Sequence, residues 1–346
     1  MRGYIHELYN PFVFCIKTLY NYISATMYFG GVKLKNIKSY YPYLAGVGMA
    51  SIFGFSFMFT SMGLDVASPM ELIAYRFLLA AFMITLLWVF GIIKLNYRGK
   101  NLWPLFLLSL SEPVVYFIFE TYGVKYTSSS LSGLMIALIP VAVTALAAVF
   151  LKERPSLYQL FFILLSVTGV AFIIFMTGIE SRNTSIIGFV YLLGAVLSAA
   201  FYSILTRKSS LEFSPIEITF VMMWFAAISF NFLNLIDRLT KGYPISDYFK
   251  DLTDYRVLIP VLYLGVLSSV VAYFLNNYAL SKLPASQASV FANLTTVISI
   301  IAGITIRHET FYWYHVIGAI MILIGVWGTN YFGKVSQLVI SSEETH

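Results

Sequence analysis

Three ionisable residues, Arg76, Glu112 and Glu120, interrupt otherwise apolar runs of the 346-residue chain. A charge at bilayer depth costs ~2.5–3.5 kcal/mol on insertion scales, so each asks for a partner or a purpose. Arg76 has the chemistry to bind a solute carboxylate, or to pair with an acid and fix two helices together. Glu112 can make the same pair, or carry a coupling proton. Glu120 lies near the end of its run, where a solvated position at the interface is expected. Tyr116 stands four residues after Glu112. The later half offers amides and phenols instead: Tyr202, Tyr273, Asn276, Asn277 and Asn293. These can hydrogen-bond a zwitterionic or hydroxylated solute, or bond neighbouring helices to one another. Ordinary catalytic sets are missing. His6, His308, His315 and His346 are scattered, and no P-loop, GxSxG, HExxH or CxxC occurs. Neither a cofactor nor a metal has a visible seat, and no enzyme is expected.

The elements that must position these residues follow from composition. The chain is 59% hydrophobic and 11% charged, with mean hydropathy +0.80. Soluble domains carry about 25% charged residues, so this chain cannot clothe a water-facing surface. Its apolar runs recur at about 20 residues, the length that crosses ~30 Å of hydrocarbon. The expected fold class is an all-α integral membrane protein. The alternating ~10-residue segments of a membrane β-barrel are absent. The net charge of +6 sits in short connections and tails beside the bilayer, which gives no nucleic-acid signal.

Ten spans are expected: 42–61, 69–93, 102–122, 128–151, 157–177, 186–206, 215–236, 257–278, 286–306 and 312–332. Residues 1–41 read as an interfacial segment. Lys17, Asn21, Ser24 and Tyr28 share one helical face there, and Lys33, Lys35 and Lys38 lie beside headgroups. An extra span over 12–30 is the alternative. Lys and Arg are more numerous in the connections that share a side with the N-terminus, so both termini are expected in the cytoplasm. Residues 333–346 form a C-terminal tail.

The spans repeat. Ser68-Pro69-Met70-Glu71 opens the second, and Ser214-Pro215-Ile216-Glu217 opens the seventh. Glu309 follows Glu153 by 156 positions, as Ser286 follows Ser130 and Gly325 follows Gly169. Two copies of five spans are therefore expected, 42–177 and 186–332. An odd span number inverts the second copy, as in secondary transporters built from inverted repeats. Pro113 and Pro140 remove backbone donors and predict kinks in the third and fourth spans. Kinked spans bend for packing or expose backbone beside a midplane cavity. Glu153 and Glu309 close spans at tight turns and are expected to cap the helix that follows.

Taken together, these features resemble the ten-span EamA-type exporters of the drug/metabolite transporter superfamily. The residues that carry the resemblance are Pro140, the alanine-rich run to Glu153, and Gly169. Thr296, Glu309 and Gly325 are their counterparts in the second copy. The resemblance covers about residues 42–332 and departs from the pattern at Thr296, where the first copy has proline. It implies a secondary transporter of the cell membrane that exports a small solute such as an amino acid or derivative, with proton coupling among the options. A membrane-embedded enzyme on lipid-linked substrates and a non-transporting receptor or scaffold are the alternatives. Two halves in one chain make an obligate dimer unnecessary.

Overall fold

Two short sequence signals begin the helices that frame everything else. In the computed structural model, Ser68 and Ser214 are the N-caps of α2 (Pro69–Val89) and α7 (Pro215–Thr240). Each serine oxygen accepts from the amide of the glutamate three residues on, and each glutamate accepts from the serine amide. Proline fills the first turn, where a missing N–H costs nothing. The glutamates also tie the two helices end to end. Glu71 accepts from Arg238 near the far end of α7 at 2.5 Å, and Glu217 accepts from Lys100 beyond α2 at 3.1 Å.

The structure describes residues 41–150, 156–180, 186–283, 288 and 291–343, with backbone alone at 147–150, 177–180, 330 and 333–343. The expected interfacial segment and Glu153 lie outside the described residues. Besides α2 and α7, the helices are α1 (Tyr41–Leu64), α3 (Trp103–Tyr126), α4 (Ser129–Ile136 with Ile139–Phe150), α5 (Leu157–Glu180) and α6 (Ile186–Ser209). They continue as α8 (Tyr255–Lys282), α9 (Phe291–Thr305) and α10 (Trp313–Glu343). Among the described residues there is no strand. Eight helices, α1 to α8, are long and apolar enough to cross a membrane, and α9 and the apolar part of α10, Trp313–Thr329, are shorter.

Helices this apolar cannot be placed by amphipathicity, because lipid attracts them as well as a partner does. Small residues decide instead. α5 lies along α10, α2 along α7, α4 along α9, and the second half of α3 along α6. At the α5–α10 crossing a Cβ on Gly325 would stand 2.2 Å from Ser166 Oγ and 2.6 Å from the Phe162 carbonyl oxygen. Ser166 Oγ donates to the Ile322 carbonyl across the same contact.

Three spans are broken. α3 widens over Leu110–Val115, where Glu112 has extended backbone (φ −141°, ψ 119°) ahead of a cis bond to Pro113. α4 breaks at Ala137–Leu138, so Pro140 falls in the first turn of its second segment. α8 widens over Tyr263–Ala272, a stretch with no proline or charge to signal it. The polar stretch between α7 and α8 is folded into two single helical turns, Ile245–Asp247 and Lys250–Thr253. The Tyr248 hydroxyl donates to Asn231 Oδ1 at 2.7 Å, and Tyr75 donates to the Tyr248 carbonyl. Its polarity alone would suggest an open loop. Its aromatic residues dock it onto α2 and α7 instead.

Glu309 requires a correction. The expectation is a cap on the helix that follows it, but it caps α4 in the other half of the sequence. Oε1 accepts from the Ser129 amide at 2.9 Å and hydroxyl at 2.5 Å. Oε2 accepts from the Ser130 amide at 2.9 Å and hydroxyl at 2.6 Å. The bare amides of a helix N-terminus draw a carboxylate wherever the fold supplies one. Thr296, standing where the first copy has Pro140, ties the same helices by donating to the Gly133 carbonyl at 2.7 Å. Glu309→Ala should lower stability by about 2 kcal/mol, the upper end for losing a cap. Thermal unfolding in detergent reads this, and Glu309→Gln should recover part of the loss.

Candidate functional site

The widened turns of α3 and α8 face one another across a cavity of ≈ 90 Å³. Its walls come from α1, α2, α3, α4, α6, α8 and α9. Each widened turn aims polar groups inward that a regular helix would point elsewhere. α3 contributes Glu112, Tyr116, Phe117 and Glu120, α8 contributes Ser268, Tyr273 and Asn276, and α2 contributes Arg76.

Arg76 is 2% exposed. Its Nε donates to Ser269 Oγ and its Nη2 to Ser268 Oγ, both at 2.8 Å. The guanidinium carbon lies 4.1 Å from the centre of the Phe117 ring, in cation–π range. Among the described residues no carboxylate oxygen comes within 4.0 Å of it. The sequence leaves Arg76 a choice between a solute carboxylate and an acid on the next helix. The fold satisfies the guanidinium with neutral hydroxyls and a ring, and Nη1 is left out of these bonds.

Glu112 is 6% exposed, and its Oε1 accepts from the Tyr273 hydroxyl at 2.5 Å. Its Oε2 is buried with no hydrogen-bond partner. Glu120 departs from expectation. It is 2% exposed and lines the cavity, with Oε2 accepting from Thr121 Oγ1 at 3.1 Å. The reason is that α3 continues to Tyr126, which places Glu120 more than a turn inside the helix end.

The remaining candidates separate into two groups. Tyr116, Tyr202 and Tyr273 reach the cavity wall, as does Asn276. Asn277 is fully buried behind the wall, accepting from the Tyr202 hydroxyl at 2.7 Å and donating to Thr219 Oγ1 at 2.8 Å. It positions Tyr202 and does not reach the cavity. Asn293 is not brought to the cavity either, although its neighbours Ala292 and Thr295 are. Ser56, Ser268 and Ser269 are not singled out by sequence reasoning at all. A signal exists for the last two, since Ser268 follows Glu112 by the same 156 positions that relate the repeats.

Membrane-length helices enclose a buried cavity lined by Arg76, Glu112 and Glu120, an arrangement that suits a membrane transporter. Known proteins agree. The sequence profile of the EamA-like transporter family matches twice, over residues 41–175 and 186–331. The chain belongs to the EamA-like transporter family. It is 37% identical over 288 residues to the uncharacterized transporter YcxC of Bacillus subtilis, covering 83% of this chain and 92% of YcxC. An uncharacterized transporter of Archaeoglobus fulgidus is 27% identical, covering 80% of this chain and 94% of that protein. A WAT1-related protein of Arabidopsis thaliana is 25% identical over 61% of this chain and 65% of its own length. One solved crystal structure superposes with a TM-score of 0.59 over 83% of this chain and 96% of its own, at 14% identity, a likeness of fold. This is a multi-pass membrane transporter and not an enzyme.

Proposed function

We propose that the chain is a secondary transporter that exports a small zwitterionic metabolite, an amino acid or derivative, by alternating access. One observation carries the reading: Arg76 and Glu112 line one buried cavity without pairing with each other. The guanidinium keeps Nη1 outside its serine bonds, and Glu112 keeps Oε2 without a partner. A carboxylate and an ammonium on one small molecule complement that pair. The cavity is smaller than the ~150 Å³ that holds benzene in an engineered apolar core, so a larger solute requires the helices to part.

The contacts support ten spans in two inverted halves, 42–177 and 186–332. Adding five to each helix number exchanges the α3–α6 contact with α8–α1. The hydroxyl-to-carbonyl bond from Ser111 to Ser198 spans the first pair, and that from Tyr263 to Ile52 spans the second. The α2–α8 and α7–α3 contacts exchange likewise, while α2–α7, α4–α9 and α5–α10 map onto themselves. A two-fold axis in the membrane plane has this effect, and rocking about it opens a central site to alternate sides. In this reading the protein works as a monomer in the cell membrane, with both termini cytoplasmic.

Glu112 is proposed as the carrier of a coupling proton. In proteoliposomes holding the purified protein, an imposed pH gradient should drive a labelled amino acid several-fold above exchange without a gradient. Glu112→Gln keeps an oxygen for the Tyr273 hydroxyl and removes the exchangeable proton. It should lose the stimulation, while exchange persists at a reduced rate because the carboxylate that meets the ammonium is gone. Full stimulation in this variant would remove Glu112 from coupling.

A further inference from the structure

The serine ligands of Arg76 join helices that sit in different halves of the sequence, α2 and α8. Ser268 Oγ also receives a hydrogen bond from Ser56 Oγ of α1 at 2.9 Å. One guanidinium and three hydroxyls thus tie α1, α2 and α8 at the cavity wall. All four groups are buried, with Ser268 and Ser269 at 0% exposure.

The repeat shows what this cluster does not share with its counterpart. By the offsets of the sequence, 146 for the early spans and 156 for the later ones, Met222 of α7 stands where Arg76 stands in α2. Glu112 and Pro113 of α3 stand where Ser268 and Ser269 stand in α8. A thioether thus corresponds to the guanidinium, and a carboxyl and a proline to the two serines; the Met222 sulfur accepts instead from Asn277 Nδ2 of α8 at 3.7 Å. No hydrogen bond between Met222 and Glu112 or Pro113 occurs among the described residues. The guanidinium–serine bonds of α2–α8 have no counterpart at α7–α3 among the described residues.

If the halves exchange arrangements, the geometry at α2–α8 becomes the present geometry at α7–α3, and the reverse. The Arg76 bonds to Ser268 and Ser269 cross from the first half to the second, so rocking of one half against the other strains them, and the repeat supplies no equivalent bonds at α7–α3 to replace them. Hydrogen bonds to a charged group contribute about 1.5–3 kcal/mol each, and a buried cation stripped of them is costly. The cost falls when another acceptor takes the guanidinium, and an anionic solute group in the cavity is such an acceptor.

We infer that Ser268 and Ser269 are placeholder ligands of Arg76, a latch that holds the empty carrier in this arrangement and gives way to the solute's anion. The latch resists movement of the unloaded carrier and makes reorientation depend on cargo. Phe117 keeps the guanidinium at one height through the change of ligands, because a ring face accepts a cation without competing for its N–H groups. This inference rests on the reading of the cavity as the transport chamber.

The test needs no identified solute. Cys15 is replaced by serine, and a single cysteine is placed in the wall at Ala199, a residue lining the cavity. Labelling of Cys15→Ser/Ala199→Cys by a membrane-impermeant maleimide then reports opening of the chamber in reconstituted vesicles. Adding Ser268→Ala and Ser269→Ala should raise the labelling rate at least fivefold from one side of the membrane. The Ser268→Thr and Ser269→Thr pair keeps both hydroxyls and should label at the parent rate, which separates the latch from mere loosening of the bundle. Size-exclusion profiles and melting temperatures confirm that each variant is folded. An unchanged labelling rate in the alanine variant, or an equal rise in the threonine variant, overturns the latch. Failure of the parent to transport any amino acid while the labelling shift persists overturns the amino-acid assignment and leaves the latch intact.

Discussion

Arg76→Ala should cut transport at least thirtyfold at solute concentrations below half-saturation of the parent, while the protein still folds. Removing one partner of a buried charge interaction costs roughly 2 kcal/mol or more, about thirtyfold in affinity. The surroundings make folding survivable. Arg76 bonds to two neutral serines, and no buried acid pairs with it, so its loss strands no opposite charge at hydrogen-bond distance. A mutation at a true helix-fixing ion pair behaves differently, because the abandoned charge destabilises the fold by ~3–5 kcal/mol. The two roles are therefore separable in one variant. Size-exclusion yield and melting temperature should stay near the parent's, and uptake should fall at least thirtyfold. Arg76→Lys restores a charge but not the two-pronged donor geometry, and should recover a small part of the loss. A collapse of yield with Arg76→Ala would instead assign the residue to helix fixing.

Gly325→Leu should prevent assembly of the bundle. A Cβ at this position overlaps Ser166 Oγ at 2.2 Å, and the Phe162 carbonyl and Ser166 amide at 2.6 and 2.7 Å. Two of those three atoms belong to the α5 backbone, which cannot rotate aside as a side chain can. Overpacking a tolerant core costs ~1–3 kcal/mol, and here the extra atoms meet main chain. In a membrane, close backbone approach is itself what joins the helices, so separating α5 from α10 removes the attraction with the clash. Gly325→Ala should lower the melting temperature and Gly325→Leu should yield no monodisperse protein. Leucine at Ile324, half exposed on the outward side of α10, should change neither.

Gly325 and Arg76 also mark how far the sequence is legible. Repeat spacing singles out Gly169 and Gly325, and close packing is the reason: only glycine fits a crossing where backbones touch. Likewise the SPxE pairs announce the starts of α2 and α7, because a capping box is local chemistry confined to four residues. Long-range partners are not legible in the same way. Glu309 belongs to the N-terminus of α4, far away in sequence, and a cap acceptor carries no label for its helix. Glu120 reads as interfacial only if the helix stops where its apolar run stops, and α3 does not. Asn293 and Asn277 show the same limit from the other side. Being inside a span says nothing about which face a side chain takes when the whole helix is apolar. The widened turn of α8 is silent in the sequence because no proline stands within it, whereas Pro113 marks the one in α3.

Both charged residues of the proposed transport chemistry come from the first half, and their positions in the second half hold Met222 and Ser268. In the proposed mechanism the repeat supplies the mechanics and the departures from it supply the chemistry. In the proposed reading, Arg76 faces the anionic end of a solute and Glu112 its cationic end or a proton. The aromatic wall of Phe117, Tyr202 and Tyr273 fixes the space between them. The latch at Ser268 and Ser269 draws on the same asymmetry.

Counterflow tests the central claim most directly. Proteoliposomes are loaded with an unlabelled amino acid at high concentration and diluted into a trace of the labelled one. A secondary transporter with one alternating site should accumulate label transiently above the outside concentration, and vesicles carrying Arg76→Ala should not. Absence of label accumulation for every amino acid tried, from protein that is folded and inserted, would contradict the assignment of this cavity to amino-acid transport.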